Sequence, residues 1–249
     1  MPRLLILLLS ALLLCAPAIQ AADPLPGFVD AEKAIPDLIV EMRYHGAHNF
    51  VGARVDGYEA PRCILTKPAA AALAKVQAEL KPMGLGIKVY DCYRPKRAVA
   101  HFERWARDIK DTKTKAEFYP TIDKRDLFKL GYVADKSSHS RGSTVDLNIV
   151  ALPAAPQPQF RLGQKLAACT KSASQRWPDN GLDMGTGFDC FHERSHTANQ
   201  ALPGQARANR ALLKALMEKH GFVNYELEWW HYTLAGEPFP DTYFDFPIR

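Results

Sequence analysis

Two short segments hold residue types that bind metals and move protons. Residues 137–146 read SSHSRGSTVD and contain His139 and Asp146. An imidazole nitrogen and a carboxylate oxygen both suit zinc, at about 2.0–2.2 Å. Residues 226–231 read ELEWWH, with Glu228 three positions before His231. A carboxylate next to a liganding histidine suits a metal site with a neighbouring general base. Taken alone, each segment has a plainer reading. A His and an Asp around a glycine are more often a capped turn, and an aromatic strand often buries a satisfied histidine.

The elements around these segments decide whether the groups can meet. The run STVDLNIV at 143–150 alternates Val145, Leu147 and Ile149 with Asp146 and Asn148, the pattern of a half-buried strand. Seven residues of regular strand would put His139 and Asp146 on opposite faces, so the turn offered by Gly142 is needed. Glu228 and His231 meet the same problem, which requires a bulge or bend near Trp229 and Trp230. Residues 222–234 are rich in aromatic and β-branched types and predict a strand pair or one long strand. Helices are expected at 66–82, capped by Thr66 with an early proline, at 96–108, and at 205–220, stopped by Gly221. Between the first two, 86–93 reads as a strand ending at Arg94-Pro95. Residues 151–180 carry Pro153, Pro156, Pro158 and Pro178 and read as an elaborated loop. The expected fold is α+β, with helices packed against a small, largely antiparallel sheet.

The chain has 249 residues, room for one sizeable core but not two roomy domains. Its net charge of +5 comes from scattered residues, and no basic run resembles a nucleic-acid arm. Arg3, an apolar run from Leu4 to Leu14 and small residues up to Ala21 and Ala22 form a secretory signal pattern at 1–21. The run is short for a membrane span, and no other long apolar segment exists. The expectation is an exported protein, periplasmic or extracellular, with one domain at 22–249 and no membrane contact after cleavage. Cys63, Cys92, Cys169 and Cys190 then remain, an even number that an oxidising compartment would pair. Three pairings can be drawn. Cys63–Cys92 with Cys169–Cys190 is favoured, because a helix running antiparallel to the 86–93 strand brings Cys63 and Cys92 together.

Read together, SSHSRGSTVDL, YDCYRP, DMGTGFDCFHERSH and EWWH, with RYHGAHNFVG at 43–52, resemble the D-Ala-D-Ala dipeptidases. These are zinc peptidases related in fold to the hedgehog signalling domain. The resemblance spans nearly the whole chain after residue 21, except 151–180. It implies one zinc ion on His139, Asp146 and His231, Glu228 as general base and Arg94 as oxyanion stabiliser. It further implies Asp189 and Tyr44 at the substrate ammonium, Ser137 near the metal, and Asp91 as a supporting partner. The implied substrate is the dipeptide D-Ala-D-Ala, cleaved to D-alanine in cell-wall peptide turnover. His192-Glu193-Arg194-Ser195-His196 matches H-E-x-x-H, but that motif needs a helix, and this stretch follows a glycine-rich turn.

Two other functions fit a similar site. A zinc carboxypeptidase or endopeptidase acting on peptidoglycan stems would need an open groove. A zinc-stabilised binding module would have no use for both Glu228 and Arg94.

Overall fold

A computed structural model describes residues 25–249. The expected signal peptide at 1–21 lies outside the described residues. The fold is α+β, as expected. Strand β1 (Phe28–Asp30) leads into the short helix α1 (Ala31–Ala34), and β2 (Ile39–Val40) follows. Strand β3 (Ile64–Thr66) pairs antiparallel with β1 in a separate two-stranded sheet. Helix α2 (Lys67–Leu80) begins where Thr66 accepts from the Ala69 amide and Pro68 presets the first turn.

The central sheet then forms from β4 (Leu85–Asp91), β5 (Thr144–Ala151), β6 (Phe222–Asn224) and β7 (His231–Leu234), in the order β2-β4-β5-β7-β6. Only the β2–β4 edge is parallel. Helix α3 (Lys96–Arg107) starts directly after Pro95, the short α4 (Lys115–Phe118) follows it, and α5 (Gly204–Lys219) precedes the β6–β7 pair.

Alternation on β5 divides the sheet into two faces. Val145, Leu147 and Ile149 are buried in the core with Leu73, Val76 and Leu80 of α2 and Leu213 and Met217 of α5. Gln77 of α2 accepts from the Ile87 amide at 2.7 Å and donates to the Pro36 carbonyl, tying helix to sheet. The other face carries Asp146 and Asn148, both buried. A polar sheet face can be buried only where each polar group finds a partner, and two buried polar clusters lie against it.

One irregularity in β4 matters to the site. Lys88 pairs with Asn148 and Val89 with Leu147, but Asp91, not Tyr90, pairs with Asp146. Cross-strand partners share a face. The extra residue therefore puts Lys88 and Asp91 on the same side of the sheet, where three residues of regular strand would separate them.

Both favoured disulfides are present. Cys63 and Cys92 have Cα atoms 5.2 Å apart, and Cys169 and Cys190 5.6 Å. The first joins the start of β3 to the end of β4, with α2 returning the chain between them. Residues 152–180 contain neither helix nor strand. They lie over the polar sheet face through Gln157 and Asp179, which hold Lys88, and through Phe160 and Trp177, which pack on His48. None of the helices among the described residues is long and apolar enough to cross a membrane.

Candidate active site

His139, Asp146 and His231 offer three ligand atoms within 4.8 Å of one another. Asp146 Oδ1 lies 3.2 Å from both His139 Nε2 and His231 Nδ1. Two ligands at ~2.1 Å on a tetrahedral ion would be about 3.4 Å apart, so the donor set fits zinc. Each tautomer is prepared from behind. His139 Nδ1 is 2.6 Å from the Cys92 carbonyl, which it can only approach as a donor, leaving Nε2 as the free lone pair. His231 Nε2 meets the Ser138 hydroxyl at 3.2 Å, which turns Nδ1 toward the trio.

Local backbone solves both spacing problems. Ser138–Arg141 form a single 3-10 turn, started by Ser137 accepting from the His139 amide. Gly142 closes it at φ +81°, where a Cβ would run into the Phe28 ring. His139 is thereby folded back over Asp146. In the second segment the expected bulge is a full turn across 225–230, so 222–234 is a strand pair, not one long strand. The Glu228 amide bonds the Tyr225 carbonyl at 3.0 Å, and His231 pairs with Asp146 as the first residue of β7. Glu228 Oε2 is left 3.4 Å from His231 Nδ1.

Arg94, three residues beyond the end of β4, is anchored at one end. Its Nε donates to Asp91 at 2.9 Å, while its terminal nitrogens reach Ser137 and Asp146 at 3.4 and 3.5 Å. The guanidinium lies over the Tyr44 and Phe102 rings. The long outer contacts can be exchanged for a stronger acceptor without losing the anchor. Asp91 is fully buried and also accepts from Tyr58 at 2.6 Å. Burial pushes its carboxyl up, against the pull of Arg94 and His139.

Asp189 has φ +56°, in the left-handed region, and accepts from the Tyr44 hydroxyl at 2.9 Å. Burial and the nearby Asp146 hold its carboxyl well above the usual range. A buried acid on strained backbone, facing a cavity, costs stability and needs a partner to repay it. Burial also opposes the charge on His231, but hydrogen bonds to Asp146 and Glu228 outweigh it and raise His231 to about 9. A cation held by the trio must displace that proton.

These groups converge on a cavity of about 290 Å³. Its polar lining includes Asp146, His231, Glu228, Arg94, Asp189 and Ser137, and Tyr44, Val99 and Phe102 add apolar wall. The volume is at the small end for ligand pockets. A larger open groove, about 760 Å³, runs beside α5 and is lined by none of these residues. His139 and Asp91 lie behind the wall, both fully buried.

Ser138, Tyr58, Tyr225 and the Cys92 carbonyl are contributors to the site that the motifs do not mark. Ser138 alone had a signal, its place beside His139. The other three are set by tertiary contact. The H-E-x-x-H stretch is a 3-10 turn at Glu193–Ser195, in which His192 accepts from the Arg194 amide. Neither histidine joins a metal-capable group among the described residues.

A His-Asp-His trio with a carboxylate and an anchored arginine, on a mixed and mostly antiparallel sheet, defines a metallopeptidase. Comparison with known proteins agrees. The D-Ala-D-Ala dipeptidase profile of peptidase family M15 matches residues 25–156 and 157–249. A D-alanyl-D-alanine dipeptidase of Enterococcus faecalis is 38% identical over 224 residues, 89% of this chain and 98% of that protein. Its Streptomyces coelicolor counterpart is 39% identical over 221 residues, 89% and 98% of the two chains. One from Escherichia coli is 33% identical over 209 residues, 83% of each. This chain belongs to the D-Ala-D-Ala dipeptidase family.

Proposed function

We propose that the chain hydrolyses the dipeptide D-Ala-D-Ala to two molecules of D-alanine, using one zinc ion on His139, Asp146 and His231. The observation that carries this reading is the convergence of the trio, Glu228, Arg94 and the buried Asp189 on one small cavity. A bound zinc ion supplies Lewis acidity, lowering the pKa of a coordinated water toward about 7 and polarising a carbonyl. Glu228 takes the proton from the attacking water as its oxygen bonds to the carbonyl carbon. It returns that proton to the amine nitrogen as the C–N bond breaks. Arg94 gives its terminal N–H groups to the carbonyl oxygen as charge develops there, while Asp91 keeps Nε in place.

Asp189, helped by Tyr44, receives the substrate ammonium. An ammonium there draws its raised carboxyl into the charged form, so an unblocked N-terminus is favoured over a longer peptide. Ser137 contacts the substrate beside the metal. A stem-peptide carboxypeptidase would have to fit further residues where Asp189 closes the wall, and the small volume speaks against it. The signal pattern at 1–21 supports export to the periplasm or beyond, where D-alanine released from wall fragments can be salvaged. Fractionation of cells tests this, and a mainly cytosolic protein would overturn it.

The activity test is an assay of purified protein on D-Ala-D-Ala, L-Ala-L-Ala and a stem pentapeptide. D-Ala-D-Ala should be cleaved well and the others poorly. Cleavage of the pentapeptide alone would reject the dipeptidase reading.

A further inference from the structure

A free dipeptide carries two charges near neutral pH, an ammonium at one end and a carboxylate at the other. The cavity wall carries three carboxylates, Asp146, Asp189 and Glu228. These suit the ammonium and a cation, but repel the substrate's own carboxylate. Some positive group must meet that end.

Among the described residues, three basic side chains line the cavity: Arg94, His231 and Lys136. Two are already committed. His231 is held by Asp146, Glu228 and Ser138. Arg94 is tied to Asp91, with its outer nitrogens toward Ser137 and Asp146. Lys136 differs from both. It is exposed at the cavity, and its one recorded contact is the Tyr243 ring, 5.8 Å from Nζ. No described carboxylate pairs with it.

The backbone beside Lys136 is fixed, while its side chain is exposed. Ser137 accepts from the His139 amide through its hydroxyl and from the Ser140 amide through its carbonyl. The ammonium is thus carried on an anchored turn, one residue from Ser137 and three from a metal-ligand candidate. A lysine is a mobile point charge on a long stem, suited to meeting a carboxylate on arrival.

We propose that Lys136 binds the C-terminal carboxylate of the dipeptide, beside the Ser137 hydroxyl, and makes a free C-terminus a condition of good binding. This deepens the dipeptidase reading and rests on it. With Asp189 it forms a two-ended charge gauge: an acid for the amine and a lysine for the carboxylate. A peptide extended at either end loses one of the two pairings.

The test compares D-Ala-D-Ala with its C-terminal carboxamide, which keeps the scissile bond and lacks the charge. Wild-type enzyme should prefer the acid. Lys136→Met should raise KM for the acid about tenfold, the scale of one charge-assisted contact at a partly wet site. Its kcat should move far less, and the amide should suffer far less than the acid, so the acid-to-amide ratio of kcat/KM collapses. Lys136→Arg should restore the preference. A merely structural role would weaken both substrates together and leave the ratio intact. An unchanged ratio in an active Lys136→Met enzyme would overturn the role of Lys136 alone. A wild-type enzyme that cleaves neither substrate would overturn the dipeptidase reading and this inference with it.

Discussion

The polar face of the central sheet holds two buried charge clusters that began with similar material and reached different ends. One is the cavity cluster of His139, Asp146, His231, Glu228 and Arg94. The other lies under residues 152–180. There Lys88, only 1% exposed, meets Glu41, Asp179, Gln157 and Asn180. Arg43 bonds Glu41, Asp179 and His48, and His48 passes the chain of contacts to Glu117 at 2.8 Å. In this second cluster the charges are spent on one another, and the spaces left beside it are only about 20 and 50 Å³. In the first, ligand atoms, a carboxylate and exchangeable guanidinium donors face a common cavity. Buried charge alone does not mark a catalytic site. Donors aimed at shared space do.

That contrast predicts catalytic damage from the first cluster and stability damage from the second. The largest effect should come from Glu228→Ala, with kcat falling about 10³–10⁴-fold while metal content, read by atomic absorption, is retained. Intact turnover would remove Glu228 as the base. Lys88→Ala should follow, costing ~3 kcal/mol in chemical denaturation because it leaves the half-buried carboxylates of Glu41 and Asp179 with Arg43 as their remaining cation. Its kcat/KM, measured well below the melting temperature, should stay near wild type. A stable but inactive Lys88→Ala protein would erase the distinction between the clusters. Arg94→Ala should lower kcat by about 10²–10³-fold with little loss of metal, since the oxyanion loses its donor.

The smallest effect concerns pH. Burial raises Glu117 from 4.5 to about 8, so the folded protein keeps a proton there that the unfolded chain releases in between. The stability linked to this group is therefore full below about pH 4.5 and is lost as pH rises through 8. Glu117→Gln should flatten that decline, by ~1–2 kcal/mol at pH 9, where melting curves can read it. Burial and the Arg43 guanidinium lower His48 from 6.5 to about 2, so below about pH 6.5 the unfolded chain alone takes up a proton there. An opposing slope runs up to that point, and between about 6.5 and 8 the Glu117 decline is free of it. An identical pH slope in wild type and variant would show that Glu117 is ionised throughout.

The two clusters also differed in how far they could be read from sequence. His139, Asp146, Glu228, His231 and Arg94 sit in short motifs whose joint pattern singles them out as candidates, and Gly142 announced the turn that one pair needed. The second cluster gave no comparable signal. Its members come from 41–48, 88, 117 and 157–180, and an ordinary Lys or Asp looks the same whether solvated or buried. The loop itself was readable from its prolines, but its role in covering Lys88 was not.

Sequence alone determined the types of the longer elements, α2, α3, α5, β4 and β5, and the strand-forming character of 222–234, because period-two alternation, caps and prolines act over a few residues. The shorter β1, β2, β3, α1 and α4 carried no such signal. It also determined the chemical repertoire, because metal ligands and bases are specific residue types. Tertiary structure decided which of those residues meet. His139 and Asp146 share a face because a 3-10 turn reverses the chain at Gly142. Glu228 and His231 share one because a turn, not a bulge, separates β6 from β7. Asp91 reaches Arg94 because one extra residue in β4 shifts its pairing to Asp146. Each is a shift of one or a few residues against a two-residue period, and such a shift reverses the face a side chain takes while leaving the local pattern almost unchanged.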